Sequence, residues 1–338
     1  MFLTKVKSTI KKYNMLRERD SILVGFSGGP DSVTLLRVLC EIKEEYSLCI
    51  HIAHLDHKFR GDESKADRRF CEDLAKDLGI GITCEEIDVP KIAAEKGISS
   101  EEAARIERYD FFKRTAEKRG IKKLAVGHNR DDQAETVLMR VLRGAGTLGL
   151  GGISPVKNIP SLTIIRPLIE MSRKEIEKFV GENSLEFRHD PSNDDVFFTR
   201  NRIRGELIPY LEKNFNSNVK EVLANMAENL RAENEFLEKF SNRKLRGLSR
   251  VKKKEILLDI KKLKRQPEAV RKRILRAALR EYKGDLRRFT YQHWKEIEKL
   301  IDERPGNSIV DLPGGINIIK NKATLTLTSQ PGNVRGIV

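Results

Sequence analysis

The chain has no long apolar run. Nothing in its 338 residues approaches the roughly 20 uninterrupted apolar positions of a membrane span, and 34% of the residues are charged. No membrane partner is expected. Cysteine is scarce: Cys40, Cys49, Cys71 and Cys84 never fall two residues apart, which excludes a zinc ribbon and a CxxC redox pair. They read as reduced, buried thiols acting as small apolar residues. The N-terminal MFLTKVKSTIKKYN alternates lysine with apolar residues and lacks a sustained apolar core or a small-residue cleavage site. It reads as an amphipathic helix rather than an export signal, so a cytoplasmic protein is expected. No Gly-x-x-x-x-Gly-Lys-Ser/Thr segment occurs, which excludes a Walker-type loop that presents a γ-phosphate.

What is present is alternation. At this length two domains are the natural division. Short β-type runs at 21–26, 48–54, 81–87 and 123–127 are separated by helical patterns near 32–45, 64–78, 100–119 and 131–143. That order predicts an α/β parallel sheet with helices on both faces and ligands at the carboxyl ends of its strands. Residues 144–160, dense in Gly and Pro, are expected to be a flexible loop that could close over substrate. The loop contains Gly144-x-Gly146-x-x-Gly149, but a dinucleotide fingerprint needs a strand before it and a helix after it, and here a helix precedes. Ser172 and Glu175 form a capping-box pattern at a helix start. Residues 206–245 and 266–302 read as helices, and two or three short strands flank the turn at Pro313-Gly314-Gly315. A boundary near 205–215 is expected, with a small α+β domain beyond it.

The first strand runs into Ser27-Gly28-Gly29-Pro30-Asp31-Ser32 and a helix. Backbone N–H groups and a helix N-terminus converge there, which makes a phosphate cradle. Gly28 and Gly29 allow close approach of an anion, and the Ser27 and Ser32 hydroxyls add donors. Asp31 repels phosphate unless it holds Mg²⁺ against a pyrophosphate, so ATP and Mg²⁺ are the expected cofactors and pyrophosphate the leaving group. A plain turn before a capped helix remains the structural alternative.

The loop is similar to the pyrophosphate loop of the N-type ATP pyrophosphatases, enzymes that form AMP and pyrophosphate while adenylating an acceptor. Further motifs resemble the tRNA(Ile)-lysidine synthetase branch. They are Ala53-His54-Leu55-Asp56-His57-Lys58-Phe59-Arg60, Ser100–Arg105 with Arg108-Tyr109, and Gly127–Thr136. Arg166-Pro167-Leu168, Asp190-Pro191-Ser192-Asn193 and Thr199–Arg204 complete the ordered series over residues 21–210. The resemblance implies a PP-loop ATPase domain of adenine nucleotide α-hydrolase-like fold at 1–210 and a basic tRNA-binding domain at 211–338, with room for one C-terminal module. It implies a ligase that adenylates O2 of the wobble cytosine in the CAU anticodon of tRNA(Ile). The ε-amine of free L-lysine would then attack C2, releasing AMP. A homodimer is an allowed assembly.

By the same resemblance, Ser27, Gly28, Gly29, Pro30, Asp31 and Ser32 serve ATP, and the adenine rests near Ala53 and His54. Asp132 and Glu135 lie on one helix face and suit lysine or metal, with an ordinary charged helix start as the less favoured alternative. Arg108 would be a cation for developing negative charge, with a surface ion pair as its alternative. His51, His54 and His57 recur every three residues but lack a completing ligand for a metal site, and His128 is the better candidate to touch substrate.

Of the net charge of +15, residues 1–210 carry +2 and residues 211–338 the other +13. That asymmetry points to a polyanion. The expected RNA contacts are Arg200, Arg202, Arg204, Lys252, Lys253, Lys254, Arg271 and Arg273. Two alternatives stay open. A PP-loop tRNA thiolase would need paired cysteines for its sulfur chemistry, and a non-catalytic RNA-binding protein would carry a damaged loop.

Overall fold

The computed structural model describes residues 1–58, 62–188, 199–252, 255–284, 286 and 288–329. Arg60, Asp190-Pro191-Ser192-Asn193, Lys253 and Lys254 lie outside the described residues. The chain forms two compact units, Met1–Arg231 and Ala232–Val338. The 210/211 boundary expected from the sequence falls inside a helix of the first unit.

In the first unit, helix α1 (Phe2–Lys12) precedes β1 (Ser21–Gly25), α2 (Pro30–Glu41), β2 (Cys49–Asp56), α3 (Asp62–Asp77), β3 (Gly81–Glu86), α4 (Val89–Lys96), α5 (Ser100–Lys118) and β4 (Lys123–Ala125). There follow α6 (Arg130–Leu142), α7 (Thr147–Leu150), β5 (Val156–Ile159), β6 (Leu162–Ile165), α8 (Arg173–Glu182), α9 (Thr199–Arg202), a π-helical turn (Ile203–Leu207) and α10 (Ile208–Asn214). The sheet order is β3-β2-β1-β4-β6-β5, parallel except for the antiparallel β5–β6 pair.

β1 shows why the sheet is covered on both faces. Its alternate residues Ile22 and Val24 join a cluster with α1, α2 and α8, while Leu23 joins Phe111 and Phe112 of α5 on the other face. A Cβ at Gly25 would lie 2.7 Å from Phe112 Cζ, so this strand end accepts only glycine beneath α5.

The expected loop at 144–160 is partly ordered structure. It holds α7 and β5, and β5 finds its hydrogen-bond partners along β6, which the Gly-rich composition concealed. Gln133 of α6 clamps the segment through Nε2 to Ile153 O at 2.9 Å and Oε1 from Ile153 N. Helix α4, unforeseen in the sequence, is capped by Asp88, whose side chain accepts from Lys91 N at 3.0 Å.

The boundary between the units falls within α11 (Val219–Leu248). Beyond it come β7 (Ser249–Lys252), β8 (Glu255–Asp259), α12 (Ile260–Lys264), α13 (Glu268–Lys283), α14 (Tyr291–Asp302), β9 (Ile309–Leu312), β10 (Ile316–Lys320) and β11 (Thr324–Thr328). The second unit is a five-stranded antiparallel sheet, β7-β8-β11-β10-β9, packed with α13 and α14 around a core that includes Leu258, Ile274, Ile297, Leu300, Ile318 and Leu325. Five strands replace the expected two or three, because β7 and β8 are short and lie inside the lysine-rich stretch that masked their alternation. The turn between β9 and β10 uses Gly314 and Gly315 at φ 87° and 70°. Among the described residues no helix is long and apolar enough to cross a membrane.

Candidate active site

The loop between β1 and α2 closes around its own hydroxyls. Gly28 stands at φ 81°, a conformation that side chains disfavour, and Pro30 starts the helix without wasting an N–H. Ser32 Oγ donates to Gly29 O at 2.9 Å and accepts from Ser27 N at 3.3 Å, while Gly29 N reaches Ser27 Oγ at 3.5 Å. Arg188 N donates to Gly28 O at 2.9 Å and fixes the outer side of the loop. The end of β4 presses against it, since a Cβ at Gly127 would sit 3.1 Å from the backbone carbonyl of Asp31.

Asp31 therefore points toward the start of α6. Its Oδ1 accepts from Asn129 Nδ2 at 2.9 Å and its Oδ2 from Arg173 Nη1 at 2.8 Å. Burial pushes its carboxyl up to about 6 despite Arg173, and neighbouring Asp132 adds to the rise. Asn129 is also the N-cap of α6, forming a reciprocal capping box with Asp132 at 3.0 and 2.9 Å. The other oxygen of Asp132 accepts from Arg200 Nη2 at 2.8 Å. Glu135, only 1% exposed, accepts from Arg200 Nε at 2.7 Å and Arg204 Nε at 2.6 Å. The two carboxylates do share one helix face, and each already holds a cation.

His128 lies next to this lattice. Burial holds its imidazole well below the usual range, reinforced by Arg166, Arg200, Arg108 and Arg105. It is a neutral acceptor for Arg166 Nε at 3.2 Å. Arg108 packs on His57 Nε2 at 3.3 Å, whereas Glu107 pairs with Lys96 at 2.9 Å. Ala53 is fully buried, and its carbonyl accepts from Phe26 N at 2.9 Å. His54 places Nδ1 3.0 Å from Phe26 O and leaves Nε2 buried without a partner; burial keeps it neutral. His51 turns to Thr83 Oγ1 at 2.9 Å, away from the other two histidines' contacts.

Of the residues expected to contact RNA, Arg200 and Arg204 grip Glu135, because a carboxylate that deep demands compensation. Arg202 is exposed and faces Glu206 at 3.7 Å. Arg271 is largely covered and paired with Asp302 at 3.1 Å, and Arg273 bonds Asn234. Lys252 is exposed at the end of β7. The sequence reading missed Arg173, which lies 142 positions from Asp31, and the capping role of Asn129. Asn129 carried a signal, as an Asn one residue before a helical run with Asp three residues on. Arg173 carried none.

A glycine-hinged anion cradle at the carboxyl end of a central parallel strand, with a carboxylate beside it and no Walker lysine, defines a PP-loop enzyme that uses ATP. A PP-loop domain model matches residues 2–211, and a TilS substrate binding domain model matches residues 258–320. The tRNA(Ile)-lysidine synthase of Clostridioides difficile is 38% identical over 98% of this chain and 71% of its own length. Those of Caldanaerobacter subterraneus and Geobacillus kaustophilus are 39% and 34% identical, covering 97% and 98% of this chain and 69% and 72% of theirs. The chain belongs to the tRNA(Ile)-lysidine synthase family, ATP-dependent ligases that form lysidine. Among solved structures, the U34-tRNA thiolase NcsA from Methanococcus maripaludis with its 4Fe-4S cluster is similar, with a TM-score of 0.57 and 19% identity over 68% of this chain and 79% of that one. That likeness concerns the fold alone, and the thiolase alternative is not favoured.

Proposed function

We propose that the cleft adenylates O2 of the wobble cytosine in a CAU-anticodon tRNA(Ile), and that the ε-amine of lysine then displaces AMP at C2. The observation that carries this reading is the adjacency of the Ser27–Ser32 cradle to the Asp31, Asp132 and Glu135 carboxylates. ATP phosphates lie on the cradle and the adenine near Ala53 and His54, whose orphaned Nε2 offers an acceptor.

Mg²⁺ fits at Asp31. Its carboxylate is desolvated, lies near another acid, and carries a raised pKa that any added cation would relieve. Mg²⁺ commonly takes one or two protein carboxylates and completes its shell with phosphate and water. Bound there, it would supply charge neutralisation for the pyrophosphate leaving group.

Lysine binding follows from the acidic pair. Asp132 and Glu135 hold guanidinium cations in the free protein, so an incoming ε-ammonium competes with Arg200 and Arg204 for carboxylates that already select positive charge. Arg108 and Arg166 stand on the side of His128 and stabilise anionic character at the base and α-phosphate. Four free cysteines suit a reducing cytoplasm.

The test is incubation with ATP, Mg²⁺, labelled lysine and a tRNA(Ile) transcript with a CAU anticodon. Label in the RNA matched by AMP is expected. Absence of label with AMP at background would end this reading.

A further inference from the structure

The carboxylate assigned to Mg²⁺ already holds a cation in the free protein. Asp31 Oδ2 accepts from Arg173 Nη1 at 2.8 Å and Oδ1 from Asn129 Nδ2 at 2.9 Å, so both oxygens are engaged. The two donors differ in freedom. The Asn129 amide is locked, because its Oδ1 accepts from Asp132 N at 3.0 Å in the capping box of α6. Arg173 is fixed at its backbone, where its N–H donates to Asp131 Oδ2 at 2.9 Å beside the Ser172 cap of α8. Its guanidinium side chain is 39% exposed, and Nε has a second partner in Glu177 Oε1 at 3.0 Å. The guanidinium can therefore leave Asp31 without losing every partner or disturbing either helix start.

Nearby acids do not compete for the role. Asp132 is engaged on both oxygens, by Asn129 N and by Arg200 Nη2. Among the described residues no three His, Cys, Asp or Glu side chains are arranged to hold a metal ion. A doubly charged metal and a guanidinium repel each other across a shared carboxylate, so a metal gains Asp31 only at the expense of the Arg173 pair. An incoming triphosphate changes that balance, since its negative charge attracts both cations. Until the metal arrives, the same pair cancels the charge by which Asp31 would repel the triphosphate from the Ser27–Ser32 cradle.

We propose that Arg173 is an electrostatic gate on Asp31: it keeps the carboxylate closed to divalent cations while the protein is free of nucleotide, and yields it when phosphate oxygens reach the loop. This inference rests on the reading of Asp31 as the Mg²⁺ carboxylate. Metal and nucleotide binding are then coupled through one side chain, and the coupling is reciprocal.

The gate is tested by titrating the full chain without tRNA, with Mn²⁺ as a paramagnetic probe of the metal site and the α,β-methylene analogue of ATP as an uncleaved nucleotide. In Arg173→Gln, Mn²⁺ without nucleotide should bind about tenfold tighter, whereas the analogue in EDTA should bind about tenfold weaker. Arg173→Lys, which keeps a cation, should stay nearer the parent in both titrations. Adding Asp31→Asn to Arg173→Gln should abolish the gain in Mn²⁺ affinity. The opposed signs separate a gate from a structural residue, whose loss weakens both ligands together. Nucleotide-free Mn²⁺ affinity that is unchanged or weaker in Arg173→Gln, or a gain that survives Asp31→Asn, would overturn the gate. A nucleotide-bound Mn²⁺ affinity that Asp31→Asn leaves at the parent value would instead overturn the assignment of the metal to Asp31.

Discussion

Asp31 sits in an anion cradle, and its chemistry turns on its protonation. Its folded pKa of about 6 is above the usual carboxylate range, so the neutral form is favoured at low pH and ionisation is completed as pH rises through 6. The sign for folding is that this group stabilises the chain most below the ordinary carboxylate pKa, and that contribution is lost as pH rises through about 6. The sign for activity is opposite, because cation binding needs the carboxylate. AMP formation should decline as pH falls through about 6, and Asp31→Asn should lower it by roughly 10²–10³-fold with tRNA binding intact. A pH–rate profile and a gel-shift titration check both.

Glu135 makes a different prediction at the same scale. It is almost fully buried between two arginines that are themselves 29% and 41% exposed. Glu135→Gln should cost about 2 kcal/mol, below the 3–5 kcal/mol of a wholly buried pair because solvent screens both partners. Denaturant unfolding reads that loss. The same variant should weaken lysine more than ATP, which a comparison of the two KM values shows.

Among elements, the β1–α2 junction and the 144–160 segment carry the precision of the site. Gly28 at φ 81° and Gly127 against Asp31 are backbone requirements rather than composition. Gly28→Ala should cost about 1–2 kcal/mol and raise the KM for ATP, since its Cβ clashes locally in the left-handed region. Gly152 is bound to Gln133 in the same sense, as a Cβ there would lie 2.2 Å from Gln133 Oε1. The alternation of β-type and helical runs made β1 to β4 and their helices legible, because a doubly covered parallel sheet writes itself as continuous apolar strands. β5, β7 and β8 were not legible. Each is only four or five residues long, too short for its alternation to stand out from the sequence around it.

For the whole molecule, the charge distribution matters most. The second unit carries the sequence's excess of lysine and arginine, yet Arg271 and Arg273 are bonded within it, while Lys252 and Lys261 are among its exposed lysines. Replacing Lys252 and Lys261 by Gln should flatten the salt dependence of tRNA binding by about one unit for each phosphate left without a cation, with the KM for ATP unaffected. An unchanged slope would make that surface a solvated face.

The sequence by itself determined the ATP chemistry, the parallel sheet and the family, because a phosphate cradle is a contiguous segment and strand-end motifs follow one another along the chain. Tertiary structure alone decided which charges meet. Asp31 finds Arg173 and Asn129, and Glu135 finds Arg200 and Arg204, across large separations in the chain. Electrostatic pairing depends on distance and burial in the folded protein, and neither is written in residue order.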